Sequence, residues 1–125
     1  MRLVVEATDY DEAVRFFRDV LGLPEELAVS GPHGAEVTIL QAGRATIELA
    51  NPAQRRFIDE VEVGRQVAPR LRVAFEVADS AAAAEQLVSG GATLVAPPIE
   101  TPWRSLNARL DVPAGLQVTH FQELD

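Results

Sequence analysis

The chain of 125 residues is long enough for one domain with an apolar core and too short for two independent domains. It contains no cysteine, which excludes disulfides, thiolate catalysis and Cys-based zinc sites. The net charge of −8 disfavours nucleic acid as a partner and mildly favours a cationic ligand. No apolar run approaches the ~18 residues that a membrane span needs. A cytoplasmic protein with no membrane partner is therefore the default expectation.

The first half of the chain predicts one helix among four strands. Residues 2–7 alternate as a strand does, and Asp9 with Glu12 resembles a capping box at the start of a helix that runs to Leu21. Gly22 ends this helix. Three further strands follow at 25–30, 35–42 and 44–50, separated by turn signals at 31–34 and at Gly43.

The second half predicts a similar series. Asn51 and Pro52 have the residue types of an N-cap and first helical position, and open a short helix that reaches about Val61. A strand at 71–78 and a helix from Ser80 to about Ser89 come next. Strands near 92–96, 104–111 and 116–122 complete the chain, with residues 97–103 as an irregular stretch.

The two halves form an internal repeat at a constant offset of 70 residues. The order is β-α-β-β-β in each, and four identities support it: Arg2, Glu6, Asp9 and Ala13 match Arg72, Glu76, Asp79 and Ala83. We therefore expect one domain of two modules, 1–51 and 70–125, with a linker and short helix at 52–69.

Three segments resemble the vicinal-oxygen-chelate superfamily of glyoxalases, bleomycin-resistance proteins and extradiol dioxygenases. They are the opening helix with Leu21-Gly22-Leu23, the strand Thr46–Leu49, and the turn Asp111–Gly115 before the last strand. The resemblance implies an α+β fold in which two tandem βαβββ modules form a curved mixed sheet that encloses a cleft, with helices outside. Members that bind a metal place ligands at positions matching Arg2, Glu48, Arg72 and Thr119.

Of these four residues only Glu48 is an ordinary metal ligand. A guanidinium offers five donors and no lone pair, and it stays protonated in proteins. Because a tight transition-metal site usually needs three or more ligands, we expect neither a bound metal nor another cofactor.

Strand alternation places Arg2, Arg72, Glu48, Thr119 and Phe121 on one mixed face, opposite an apolar face. Two interpretations are open for the charged residues, and both can hold. Glu48 forms an ion pair with Arg2 or Arg72 that joins the modules, or one arginine anchors a ligand while Glu6 or Glu76 accepts from it.

Trp103, the only tryptophan, precedes a strand in the irregular stretch. It is either a lid that packs on the domain surface or a stacking wall for a flat ligand, and Phe121 favours the second interpretation. His33 lies in a predicted turn, and His120 lies on the apolar, core-facing register.

Four functions remain open at this point. The first, which the resemblance to bleomycin-resistance proteins implies, is a homodimeric, metal-free protein that sequesters a partly aromatic small molecule, with antibiotics among the candidates. The second is a metal-dependent lyase, isomerase or dioxygenase with an unconventional site. The third is a metal-free enzyme with Glu6, Glu48 or Glu76 as general base. The fourth is an interaction domain with a vestigial cleft.

Overall fold

The computed structural model describes all residues from Met1 to Asp125. Its eight strands and three main helices follow the order predicted from the sequence. The bounds are β1 Arg2–Glu6, α1 Tyr10–Val14 with a π-helical continuation Arg15–Val20, β2 Glu25–Ser30, β3 Glu36–Ala42, β4 Ala45–Ala50, α2 Pro52–Glu62, β5 Leu71–Glu76, α3 Ser80–Ser89, β6 Thr93–Glu100, β7 Ser105–Val112 and β8 Leu116–Glu123.

All eight strands belong to one mixed sheet in the order β2-β3-β4-β1-β5-β8-β7-β6. Each βαβββ set contains one parallel pair, β1 with β4 and β5 with β8. The two sets meet where β1 runs antiparallel to β5, with Val4 opposite Arg72. The two predicted modules therefore pair within one chain, and their equivalent strands lie side by side at the centre of the sheet.

The helices α1 and α3 cover one face of the sheet, where the predicted apolar residues form the core. Val14 of α1 packs on Leu40 and Leu49, and Ala84 of α3 packs on Ala108 and Leu110. Each helix begins with an aspartate that caps it: Asp9 accepts from the Glu12 amide and Asp79 from the Ala82 amide. The α+β fold of two tandem βαβββ modules is confirmed.

The linker helix α2 lies on the other face of the sheet. Asn51 is its N-cap and Pro52 its first residue, as predicted. Its residues Ile58, Asp59 and Glu62 are buried against the inner face. This helix therefore helps to enclose the space between the two modules.

Two local features differ from the sequence prediction. The expected single helix ending at Leu21 changes to π-helical geometry from Arg15 onward, and helical spacing alone does not reveal such a change. The predicted strand at 92–96 continues to Glu100 through Pro97 and Pro98. Proline is tolerated on edge strands and at bulges; β6 is an edge strand, and its pairing with β7 is irregular between Ala96 and Ile99. None of the helices combines the length and hydropathy needed to cross a membrane.

Candidate ligand-binding cleft

A cavity of about 700 Å³ lies on the inner face of the sheet, between the two modules and beneath α2. Six of the ten residues that the sequence singled out line it. They are Arg2, Glu48, Arg72, Trp103, Thr119 and Phe121. The central strands supply the charged floor, while β2, β3, β7 and α2 supply the walls.

Arg2 and Glu48 form an ion pair across β1 and β4. Arg2 Nη1 lies 3.6 Å from Glu48 Oε1, and Arg2 Nε donates a hydrogen bond of 3.2 Å to Thr46 Oγ1. The Arg2 guanidinium also stacks over Phe121, with its Cζ 5.6 Å from the ring centroid. These contacts fix Arg2 on the floor of the cavity with part of its side chain accessible.

Arg72 is more deeply buried than Arg2 and makes a different contact. Its Nη1 donates a hydrogen bond of 2.7 Å to Thr119 Oγ1, and no carboxylate lies at salt-bridge distance. Burial lowers the pKa of Arg72, and the negative charge of Glu62 partly offsets this effect. Arginine nevertheless stays protonated at neutral pH. The cavity floor therefore holds a second cation that lacks an ion-pair partner.

Glu48 is held between these two cations. Burial raises the pKa of Glu48 above its ordinary value of 4.5, although Arg72 and Arg2 act to lower it. Desolvation is thus the larger effect, and the weak 3.6 Å pairing with Arg2 agrees with that balance. A carboxylate with a raised pKa accepts a proton more readily than an ordinary one.

Aromatic and aliphatic side chains line the mouth of the cavity. Trp103 is 46% exposed, and its ring centroid lies 6.2 Å from that of Phe57 on α2. Leu27 and Val29 of β2 face them from the first module and are half exposed. These four side chains offer apolar surface to a flat group that enters the cleft. No sequence pattern indicated Phe57, Leu27 or Val29 as residues of this site.

The remaining candidates lie elsewhere. Glu6 accepts a 2.9 Å hydrogen bond from Arg55 Nε in a crevice beside the main cavity. Glu76 is exposed and does not line the cavity. His120 is buried edge-to-face against Phe75, and burial lowers its pKa. His33 is exposed in a turn.

A buried polar network behind the cavity was not foreseen. Arg109 of β7 is fully buried and contacts Asp59 at 2.9 Å and Glu62 at 2.6 Å, both on α2. Asn107 donates a 2.7 Å hydrogen bond to Glu62. The signal in the sequence is an acidic pair three residues apart on α2, facing Asn107 and Arg109 two residues apart on a strand. This pattern predicts the network only when it is known which face of the sheet α2 covers.

The cleft does not fit a transition metal. Glu48 shares the four positions that match metal ligands in the family with two guanidiniums and a hydroxyl. Two of these groups, Arg72 and Thr119, are hydrogen-bonded to each other. No cluster of three or more histidine, aspartate or glutamate side chains is arranged to hold an ion. The arginine side chains repel a metal cation, and one carboxylate is too few ligands to hold it. These residues therefore do not form a transition-metal site.

The family model described as "Glyoxalase-like domain" matches residues 2–119. The chain belongs to this family. Comparison with curated proteins finds no match by sequence.

Solved structures agree on the fold. A hypothetical protein of Bacillus halodurans C-125 is 15% identical, with a TM-score of 0.74 over 99% of this chain and 93% of that one. Methylmalonyl-CoA epimerase from Mycobacterium tuberculosis is 20% identical, with a TM-score of 0.66 over 99% and 85%. A mutant of 4-hydroxymandelate synthase from Streptomyces coelicolor is 24% identical, with a TM-score of 0.67 over 99% of this chain and 37% of that one. At these identities the likeness concerns the fold of this glyoxalase-like protein.

Proposed function

We propose that this glyoxalase-like protein binds a small, partly aromatic organic molecule in the cleft without a metal, and sequesters it. The observation that carries the proposal is the pairing of a cavity of about 700 Å³ with two arginines on its floor. That volume lies within the usual range of small-molecule sites, roughly 300–1,000 Å³. Antibiotics belong to the candidate ligands, and the proposal includes a cytoplasmic homodimer.

The shape and chemistry of the walls support binding of an aromatic group. Phe57 and Trp103 present ring surfaces at the mouth, and polar groups converge on the floor. Pockets that bind small molecules commonly combine an apolar wall with a few placed polar groups. The half-exposed Trp103 also provides a spectroscopic reporter.

The test is a fluorescence titration of Trp103 against a panel of aromatic natural products, repeated by calorimetry. Binders should lose affinity roughly tenfold in Phe57→Ala, since removal of an aromatic wall costs on the order of 1–2 kcal/mol. The matched control is Leu94→Ala, a half-exposed leucine on β6 that does not line the cavity. Absence of any binder across the panel, or equal losses in both variants, would remove the support for this function. Gel filtration tests the expected dimer.

A second candidate function is a metal-free enzyme that uses Glu48 as general base. Its support is the raised pKa of this buried carboxyl at the cavity floor. For any ligand found above, product analysis of the wild type and Glu48→Gln distinguishes the two functions. Turnover that disappears in Glu48→Gln while binding persists favours the enzyme, and an unchanged ligand favours sequestration.

A further inference from the structure

The floor of the cleft carries two arginines, one of which has no ion-pair partner, although the whole chain is acidic. Arg2, Arg72 and Glu48 are the charged groups at its centre. Glu62 also lines the cavity, but its Oε1 lies 2.6 Å from Arg109 and its Oε2 accepts from Asn107. Glu62 is thus already bonded to Arg109, which also pairs with Asp59, whereas Arg72 has no carboxylate at salt-bridge distance.

The donors of Arg72 are incompletely used. A guanidinium has five N–H donors, and the one side-chain hydrogen bond of Arg72 goes to Thr119. The residue is only 7% exposed. Two side-chain nitrogens in the chain, Arg109 Nε and His120 Nδ1, are fully enclosed without a hydrogen-bond partner, and the remaining nitrogens of Arg72 are not among them. These nitrogens therefore remain accessible, and Arg72 lines both the main cavity and the crevice beside it. A buried cation with free donors is the usual basis for recognising a planar anion.

We infer that the ligand is an aromatic carboxylic acid, whose carboxylate binds Arg72 and Arg2 at the floor and whose ring packs against the wall formed by Phe57 and Trp103. This inference rests on the proposed small-molecule function and specifies its ligand class. Thr119 and Glu48 are positioning residues in this arrangement. Thr119 orients the Arg72 guanidinium by accepting a hydrogen bond from it, and Glu48 holds Arg2 on the floor through their ion pair.

The charges at the rim do not form a second anion site. Glu26 and Glu123 line the mouth and are exposed, and Arg104 there is paired with Glu100 at 3.1 Å. The rim is thus acidic, and the cation without an ion-pair partner lies at the floor. These charges favour a bound orientation with the carboxylate at the floor and the uncharged ring at the mouth.

The experiment compares three probes that share one ring system: 2-naphthoate, the neutral 2-naphthamide and the cationic 2-naphthylmethylamine. Calorimetry on the full chain should show the carboxylate binding roughly 10- to 100-fold more tightly than the amide, as charge-assisted hydrogen bonds predict. The amine should bind more weakly than either.

Variants test whether the preference for the carboxylate over the amide arises at the cavity floor. Arg72→Met should reduce the carboxylate-to-amide ratio to near one while amide binding persists, and Arg72→Lys should restore part of it. Arg104→Gln at the rim is the matched control and should keep the wild-type ratio. If Arg72→Met does not fold, Thr119→Val offers a milder change that should lower the ratio several-fold by freeing the guanidinium to reorient.

The outcomes separate this inference from the function on which it rests. Equal affinity for the carboxylate and the amide would overturn the carboxylic-acid assignment and leave small-molecule binding intact. A preference for the amine, or a preference for the carboxylate that survives in Arg72→Met, would also overturn it. Binding of none of the three probes would count against both.

Discussion

Arg109 Nη1 lies 2.9 Å from Asp59 Oδ1, and both side chains are completely buried. This contact ties β7 of the second module to the linker helix. Asp59 also accepts from the amides of Val67 and Ala68, each at 2.7 Å, and so fixes the chain that leads into β5. One buried carboxylate therefore sets the position of both the helix over the cleft and the strand that carries Arg72.

Removal of one partner from this pair should be strongly destabilising. Arg109→Met leaves Asp59 and Glu62 buried without their counter-charge, and we expect a loss of about 3–5 kcal/mol in the free energy of unfolding. Urea denaturation measures it. The control is Arg18→Gln, which removes a solvent-exposed pairing with Asp19 and Glu25 and should leave the midpoint unchanged.

A loss in Arg109→Met no larger than that in the control would show that the buried network is not a structural tie. The double variant Arg109→Met/Asp59→Asn should recover part of the loss, because it removes one of the two uncompensated charges.

Glu48 should make stability depend on pH in a defined direction. Because burial raises the pKa of Glu48, the folded chain binds more protons than the unfolded chain as the pH rises from 4.5 to that raised pKa. The contribution of Glu48 to the free energy of unfolding therefore falls through this window and stays low above it. Relative to wild type, Glu48→Gln should become progressively more stable as the pH rises through the window.

Denaturation of both proteins at a series of pH values measures this difference. Glu26→Gln, at the exposed rim, is the matched control for the replacement of a carboxylate by an amide away from the floor. A Glu48→Gln difference that stays constant, or that shrinks as the pH rises, would contradict the effect of burial on Glu48.

The two helix caps provide a test of the repeat. Asp9 and Asp79 occupy equivalent positions and accept from amides three residues ahead, at 3.2 and 3.0 Å. Asp9→Ala and Asp79→Ala should each cost about 0.5–2 kcal/mol of the free energy of unfolding. The matched control is Asp11→Ala, since Asp11 lies in the first turn of α1 and is not the cap. Losses in the cap variants equal to that of the control would mean that capping is not what these aspartates contribute.

Exchange of the cleft residues should create a metal site. The triple variant Arg2→His/Arg72→His/Thr119→Glu places two imidazoles and a second carboxylate beside Glu48. It should bind Ni²⁺ or Zn²⁺ and gain about 2.7 kcal/mol of stability at a metal concentration of 100 times Kd. Calorimetry and thermal unfolding measure both effects.

The control for the metal site is Arg2→Gln/Arg72→Gln/Thr119→Glu, which removes the same charges without adding imidazoles and should bind far more weakly. Stoichiometric transition metal in wild-type protein purified without chelator would contradict the proposed metal-free function.

The strands and their inward faces were predictable because a period of two assigns each side chain to a face. The offset of 70 residues placed Arg2 and Arg72 as equivalents, and they line the same cavity. The role of α2 was not predictable, because its amphipathic pattern shows that one face is buried and not which layer covers it. For the same reason Glu62, Asn107 and Arg109 looked like ordinary polar residues.

The course of β6 also lay beyond the sequence patterns. Pro97 and Pro98 indicated a break, because proline interrupts a strand that is hydrogen-bonded on both sides. At an edge, one side of the strand has no such requirement, and the position of β6 in the sheet follows only from the complete topology.

Those two prolines have a consequence for encounters between chains. An open sheet invites polymerisation by strand addition, since an outermost strand offers amide hydrogens and carbonyl oxygens to a newcomer. Pro97 and Pro98 of β6 have no amide hydrogen to offer a newcomer, and along β2 it would meet the adjacent carboxylates of Glu25 and Glu26. Both margins of the sheet thus resist extension into fibrils.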